Sequence, residues 1–144
     1  MKLEDIYSSW DEDSNIDRTQ LDVVALRIPQ MHAKYAKILS NERLLLRKYE
    51  AEFKELKLDK TLFYVDGPTQ EQFDKGWQVP AKGRILKSDV APWLDADKDL
   101  IALSLKIGMQ NEKVETLKSI MDIISRLGFQ VKTAVDWARF MNGS

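Results

Sequence analysis

A short basic and aromatic segment lies near the middle of the chain. Within it, Lys57, Lys60, Phe63 and Tyr64 follow one another at short spacings. Such a mixture suits single-stranded nucleic acid, because cations follow the phosphate backbone while rings stack on unpaired bases, at ~1–3 kcal/mol per base. The alternative is that the lysines are ordinary surface charges of a helix and that both rings belong to the core. We predict these four residues as a DNA-binding group.

A second basic stretch follows at residues 75–87, which contain no acidic residue. Trp77 lies within this stretch and could stack on a base or pack the loop against the core. We predict that Lys82, Arg84 and Lys87 extend the DNA-binding surface. In a single chain these charges are few, but copies of them around an oligomer would bind one strand by avidity.

The chain lacks the residues that most enzymes use at a catalytic centre. It contains no Cys and one histidine, His32, which excludes thiol nucleophiles and two-histidine zinc sites. No glycine-rich phosphate-binding motif is present. Asp95, Asp97 and Asp99 alternate as in a calcium loop, but the glycine and closing glutamate of that loop are missing, and helix capping explains them better. We therefore predict a protein that is not an enzyme and has neither a cofactor nor a metal site.

The composition allows one compact domain or one long-helix protomer of an assembly, since 44% of the 144 residues are hydrophobic. The formal net charge is only −1, but seven acids lie within residues 1–22 and form an acidic head. We interpret this head as a solvated terminus, with contact to a basic partner as the alternative. The chain has no signal-peptide pattern and no apolar run near the ~20 residues that span a membrane, so we expect a soluble, intracellular protein.

Glycine and proline are concentrated between residues 65 and 95, and long helical patterns lie on both sides of them. The first pattern runs from Asp17, a suitable helix N-cap, to Tyr64. It predicts two helices, or one long helix kinked near residues 28–29 or 40–41, because Pro29 should start or bend a helix. We expect the segment between the two patterns to be irregular.

The second pattern is a heptad seam, in which seam positions recur at alternating spacings of three and four. It predicts a helix that begins near residue 96 and ends at Gly128, followed by a short last helix over residues 129–141. Further apolar residues widen the seam, so this helix should contact more than one neighbour. The seam residues, which we predict to form a subunit interface, are Leu100, Leu103, Ile107, Gln110, Val114, Leu117, Met121 and Ile124.

Long helices with such wide apolar faces are hard to bury in one chain of this length, which favours self-association. Gln110 supports this prediction, because one buried polar residue can fix the register or number of helices. The alternative is an ordinary helical bundle that closes on itself. We predict an all-α protein with a helical DNA-binding part at residues 1–64, an irregular basic and aromatic loop at 65–95, and a helical oligomerisation part at 96–144.

Four short segments, in their order and spacing, resemble the UvsY family of phage recombination mediators. They are residues 1–6, residues 16–21 with Ile16-Asp17 before Thr19 and Leu21, residues 96–99 before the long helix, and residues 125–140. None of them is a catalytic motif, so the resemblance rests on their arrangement over nearly the whole chain. It implies an all-α, ring-like oligomer of roughly six or seven subunits that assembles through its C-terminal helices.

The same resemblance implies the partners and the place of action. The family binds single-stranded DNA, contacts a single-stranded-DNA-binding protein, and helps a RecA-like recombinase load onto strands that this protein would otherwise occupy. Such a protein would act in the cytoplasm of the infected host cell. The alternative is a helical adaptor that docks a partner through its heptad-patterned half and does not bind DNA.

The family's DNA-binding motif has Leu-Lys, then Arg, then paired aromatic residues. The resemblance implies that Lys57 and the pair Phe63-Tyr64 match this motif, and that Lys60 stands in the place of the Arg. The spacing is one residue longer here, and lysine lacks the planar guanidinium that binds phosphate through two hydrogen bonds. The central loop is also longer and richer in Trp than the family's, so its DNA contacts are predicted from this chain's own residues.

Overall fold

The structure, a computed structural model, describes residues 1–143, which contain five α-helices and one 3-10 turn. The helices are α1 (Leu3–Asp13), α2 (Leu21–Asp66), α3 (Gln70–Asp74), α4 (Val90–Asp95) and α5 (Lys98–Met141). The turn covers Lys87–Asp89, immediately before α4. Because these residues contain no strand, the predicted all-α class is confirmed. None of the helices described combines the length and the apolar character needed to cross a membrane.

The described residues form two compact units, and each unit contains part of α2 and part of α5. The first unit consists of Met1–Leu44 together with the described residues from Gln110 onward, and the second consists of Leu45–Met109. The predicted division at residues 64 and 95 concerns function rather than packing. The assignment of DNA binding to residues 1–64 and of oligomerisation to residues 96–144 stays a prediction.

Part of the acidic head forms α1, in which Glu4, Asp5, Asp11 and Glu12 are exposed, but one apolar face of this helix is buried. Ile6 of this helix is fully buried, and the ring of Trp10 meets that of Tyr35 in α2 edge to face, with 5.5 Å between centroids. The Tyr35 hydroxyl donates a 2.7 Å hydrogen bond to Asp13. Burial, together with the Asp13 carboxylate, raises the pKa of Tyr35 to about 12, so this hydroxyl stays a donor. One face of the acidic head thus belongs to the core of the first unit, because its apolar residues recur at helical spacing.

α2 is one helix of 46 residues, in agreement with the second of the two predicted alternatives, and Asp17 does not cap it. Asp17 accepts hydrogen bonds from the backbone N–H and the hydroxyl of Thr19 and so forms a local turn before the helix. The helix continues through Pro29, although proline there removes one backbone donor. Val24 and Met31, buried on either side of Pro29, hold the segment in place, because packing stabilises a helix more than local propensity does.

α5 also runs without interruption, over 44 residues. Its observed start at Lys98 agrees with the predicted start near residue 96, but the predicted end at Gly128 and the separate last helix are wrong. Glycine inside a helix costs about 1 kcal/mol relative to alanine. Leu127 and Val131 are buried on either side of Gly128, and burial of two such side chains outweighs that cost.

Much of the heptad seam is already buried within the single chain. Leu100, Gln110, Val114, Leu117 and Ile124 are buried, and Leu103, Ile107 and Met121 are half-buried. The Gln110 amide donates to the Glu42 backbone carbonyl at 2.9 Å and to the Glu42 carboxylate, so the polar seam residue has its partner in α2 of the same chain. These side chains stabilise the fold of the protomer, and their assignment to a subunit interface stays a prediction.

The segment between α2 and α5 contains more regular structure than the irregular loop predicted over 65–95. α3 begins with a capping box, in which the side chains of Thr69 and Gln72 each accept a hydrogen bond from the other's backbone N–H. Gln72 also donates to the Asp59 carboxylate at 2.8 Å, which ties the segment to α2. Further on, the backbone N–H of Ile85 donates to the carbonyl of Tyr64. The prediction of an irregular segment is thus wrong for α3 and α4, because these local bonds and buried contacts order the chain.

Candidate nucleic-acid interface

Lys60, one of the residues predicted to contact DNA, is buried, with 4% of its surface exposed. Its Nζ lies 3.1 Å from Asp97 Oδ2 and 2.7 Å from Asp99 Oδ2. The ring of Trp77 lies next to the ammonium group, with 3.8 Å between Nζ and the ring centroid, which is a favourable cation–π distance. Lys60 is therefore an internal counter-ion in the second unit, and its contact with DNA stays a prediction.

Asp97 is the buried carboxylate at which these contacts meet. Its Oδ2 accepts a 2.6 Å hydrogen bond from the Tyr64 hydroxyl, and its Oδ1 caps α5 by accepting from the backbone N–H groups of Asp99 and Leu100. Burial raises the pKa of Asp97, but the hydrogen bonds from Tyr64 and Leu100, together with Lys60, outweigh burial and hold this pKa below its usual range. Burial and the Asp97 carboxylate raise the pKa of Tyr64 well above its usual range, so the phenol stays a donor.

Phe63 and Tyr64, the two rings predicted to stack on bases, also lie in the core of the second unit. They are 3% and 9% exposed and form a cluster with Ile85, Leu94 and Leu100. Their rings meet edge to face at 5.2 Å. This placement agrees with the alternative interpretation of both rings as core residues, and their stacking on DNA stays a prediction.

Lys57 is the member of the predicted group that lies on the surface. It shares one face of α2 with the exposed Arg47 and Lys54, because spacings of seven and three return to the same side of a helix. We call these three residues the basic face; they extend over ~15 Å of helix. Within residues 1–143 none of the three forms an ion pair, although the exposed Glu50 lies on the same side. The spacing of the three cations is visible in the sequence, but the prediction included only Lys57, because it was based on cations that alternate with aromatic residues.

The three predicted loop cations, Lys82, Arg84 and Lys87, are exposed as well. The Arg84 guanidinium lies close to Gly67, where the backbone leaves α2 with a φ of +87°. A cation is favoured there, because the last carbonyl groups of a helix carry partial negative charge. Arg84 thus lies at the end of the helix that carries the basic face, and the DNA contacts of the three loop cations stay predictions.

An open groove of about 500 Å³ lies beside Lys60, formed by the end of α2, the segment after α3, α4 and the start of α5. The half-buried Trp77 and Trp93 line it, together with the exposed Lys75 and Lys98. Trp93, in α4, was not among the predicted site residues, although an aromatic ring close to a basic stretch is a signal for nucleic-acid binding. The groove brings together rings and cations that lie on four separate elements.

The sequence matches the family described as "Recombination, repair and ssDNA binding protein UvsY" over residues 9–144. No curated protein sequence matches the chain. The fold is similar to crystal structures of the bacteriophage T4 recombination mediator protein UvsY. For lattice type II the identity is 24% and the TM-score 0.81, covering 99% of this chain and 98% of that chain. For lattice type IV the identity is 21% and the TM-score 0.83, covering 97% of this chain and 99% of that chain. For lattice type I the identity is 22% and the TM-score 0.79, covering 95% of this chain and 98% of that chain.

Proposed function

We propose that this chain, which belongs to the UvsY family, is a recombination mediator that binds single-stranded DNA. In this role it helps a RecA-like recombinase load onto strands coated by a single-stranded-DNA-binding protein. The observation that carries the proposal is the family match over residues 9–144, which indicates a role in recombination. The helical fold, similar to that of the T4 recombination mediator over 95–99% of this chain, supports it.

The proposed activity is binding and exchange rather than catalysis. Replacement of one DNA-coating protein by another requires only that the mediator bind the strand and its partners with affinities that favour the new complex. The chain would do so in the cytoplasm of the infected host cell, where the recombinase and the DNA-coating protein meet.

The basic face of α2 supports the proposed DNA binding. Its cations, Arg47, Lys54 and Lys57, are exposed, and each phosphate they neutralise releases condensed counter-ions. For a single strand, the slope of log K against log salt changes by about −0.7 per neutralised phosphate. Lys82, Arg84 and Lys87 add exposed positive charge, and repetition of the same charges on several subunits increases the affinity for a long strand.

We further propose a ring-like homo-oligomer of roughly six or seven subunits. α5 supports self-association because it exposes large apolar side chains outside the buried seam. These are Ile101, Leu105, Met109, Ile123, Phe129, Trp137, Phe140 and Met141. A second copy can reach these side chains without unfolding the protomer, and large exposed apolar surfaces are typical of interaction sites.

DNA binding is tested by the fluorescence anisotropy of a labelled oligothymidine at several salt concentrations. The variant Lys54→Ala with Lys57→Ala should bind more weakly, and its salt slope should be smaller by about 1.4 for each subunit engaged, because two phosphate contacts are lost. The control, Lys118→Ala with Lys132→Ala, removes the same charge from α5 and should keep the wild-type slope. Wild-type affinity and slope in the first variant would show that DNA does not follow the basic face.

Mediator activity is tested on single-stranded DNA coated beforehand with a single-stranded-DNA-binding protein. The DNA-dependent ATPase of a RecA-like recombinase is followed with and without this chain. We expect the chain to shorten the lag on coated DNA and to leave bare DNA unaffected. An unchanged lag, with DNA binding intact, would contradict the mediator role and favour an adaptor that only binds.

A further inference from the structure

We propose that the groove beside Lys60 binds one nucleotide of a single DNA strand, with the base stacked on Trp93 and the phosphate in place of the Asp99 carboxylate. This inference rests on the proposed function and deepens it, because it adds a base-binding site to the exposed cations of the basic face. The groove is open, and all its lining residues belong to the second compact unit.

The two carboxylates that pair with Lys60 are not equivalent. Asp97 is buried and is held by three other hydrogen bonds, from the Tyr64 hydroxyl and from two backbone N–H groups at the start of α5. The Asp99 side chain is 56% exposed, and in residues 1–143 its carboxylate receives a hydrogen bond from Lys60 alone, at 2.7 Å. Asp99 is thus the partner that an incoming anion can replace while Lys60 stays paired with Asp97.

The two tryptophans of the groove have different surroundings. Two ammonium groups already lie near the ring of Trp77, with Nζ of Lys60 at 3.8 Å and of Lys75 at 5.2 Å from its centroid. The ring of Trp93 packs at a tilt of 45° against Tyr64, with 6.1 Å between centroids, and within the described chain it has no such cation. A base in the groove can therefore stack on Trp93, whereas Trp77 holds Lys60 in position.

The charges of the groove favour an anion once Asp99 has turned away. The cations Lys60 and Lys98 line the groove together with two carboxylates, of which only Asp97 then remains paired with Lys60. Lys75 also lines it, but its Nζ lies 3.6 Å from the carboxylates of Asp59 and Glu71 and is partly neutralised by them. An anion site next to an aromatic ring fits a nucleotide, because the phosphate meets the cations while the base meets the ring. A free phosphate would leave the ring unused.

The carboxylate exchange predicts that removal of the Asp99 charge strengthens DNA binding. Repulsion between the Asp99 carboxylate and a DNA phosphate ~5 Å away in water corresponds to about a fourfold loss of affinity. Asp99→Asn should therefore bind an oligothymidine of about ten nucleotides about fourfold more tightly than the wild type, measured by anisotropy. The control Asp122→Asn makes the same change of net charge at an exposed position outside the groove and should alter the affinity much less.

The stacking contact predicts the opposite effect for Trp93. Trp93→Leu keeps an apolar side chain against the core but removes the ring, and loss of a stacked base should weaken binding at least about fivefold. Trp93→Phe should restore most of the affinity. It should also lose part of the quenching of tryptophan fluorescence that DNA causes in the wild type, a signal that a purely structural role of Trp93 would not change. Circular dichroism checks that both variants are folded.

The outcomes separate this inference from the proposed function. If the wild type bound no oligothymidine, both would be overturned. If the wild type bound but Asp99→Asn matched Asp122→Asn, or Trp93→Phe showed the full wild-type quenching, only the groove would be overturned. The comparison of Asp99→Asn with Asp122→Asn shows whether DNA binds in the groove, even if Trp93→Leu does not fold.

Discussion

Replacement of Lys60 by methionine tests whether the buried charge network stabilises the second unit. Removal of one partner of a buried ion pair costs about 3–5 kcal/mol, because the other charge stays buried and unpaired. Asp97 would keep its hydrogen bonds from Tyr64 and from two backbone N–H groups, so we expect the lower end, about 3 kcal/mol. The contact with Asp99 adds less than about 1 kcal/mol, because that side chain is 56% exposed.

The free energy of unfolding is measured by urea denaturation with circular dichroism, at one protein concentration for all variants because association would stabilise the folded state. Lys57→Met is the matched control, since it makes the same substitution three residues earlier at an exposed position. The free energy of unfolding of Lys57→Met should lie within about 0.5 kcal/mol of that of the wild type. If Lys60→Met and Lys57→Met unfolded at the same urea concentration, the argument from buried charge would be refuted.

Three further predictions concern stability and are checked by the same urea denaturation. Because the pKa of Asp97 is lowered in the folded state, its contribution is complete above the ordinary value of 3.8 and is lost as the pH falls below it. The wild type should therefore lose more stability below about pH 4 than Asp97→Asn does. Gly67→Ala should cost about 1–2 kcal/mol, since alanine is strained at a φ of +87° and its Cβ would lie 3.4 Å from Arg84 Nε; an unchanged midpoint would contradict this. Ile6→Ala should cost about 2–5 kcal/mol, because Ile6 is fully buried, and a loss below about 1 kcal/mol would show that α1 packs loosely.

The helical class and the long α5 could be predicted from the sequence, because spacings of three and four are a local property of the chain. The continuous α2 agrees with the predicted alternative of one long helix, whereas the helix end predicted at Gly128 is wrong for a physical reason. A local propensity of one residue is small beside the burial of its neighbours, such as Met31 and Leu127. α1 was missed because its acids dominated the composition, although Ile6 lies on the apolar face of that helix.

The candidate site could be predicted only in part. The cations and aromatic residues near the end of α2 are visible as residue types, and the resemblance to the UvsY family implies a role in DNA binding for them. Their exposure was not predictable, because it depends on residues from other elements. Trp93 was overlooked for the same reason, since its place beside Lys60 arises only when α4 packs against the cluster around Tyr64.

The sequence by itself determined the residue types near the end of α2, their helical spacing and the membership in a family. Only the tertiary structure decided that Lys57 lies on the surface while Lys60, three residues later, is an internal counter-ion. The partners of Lys60, Asp97 and Asp99, lie far along the chain at the start of α5, and Asp99 is 39 residues away. No local pattern can encode such a contact, because the exposure of a charge depends on what the rest of the chain packs against it.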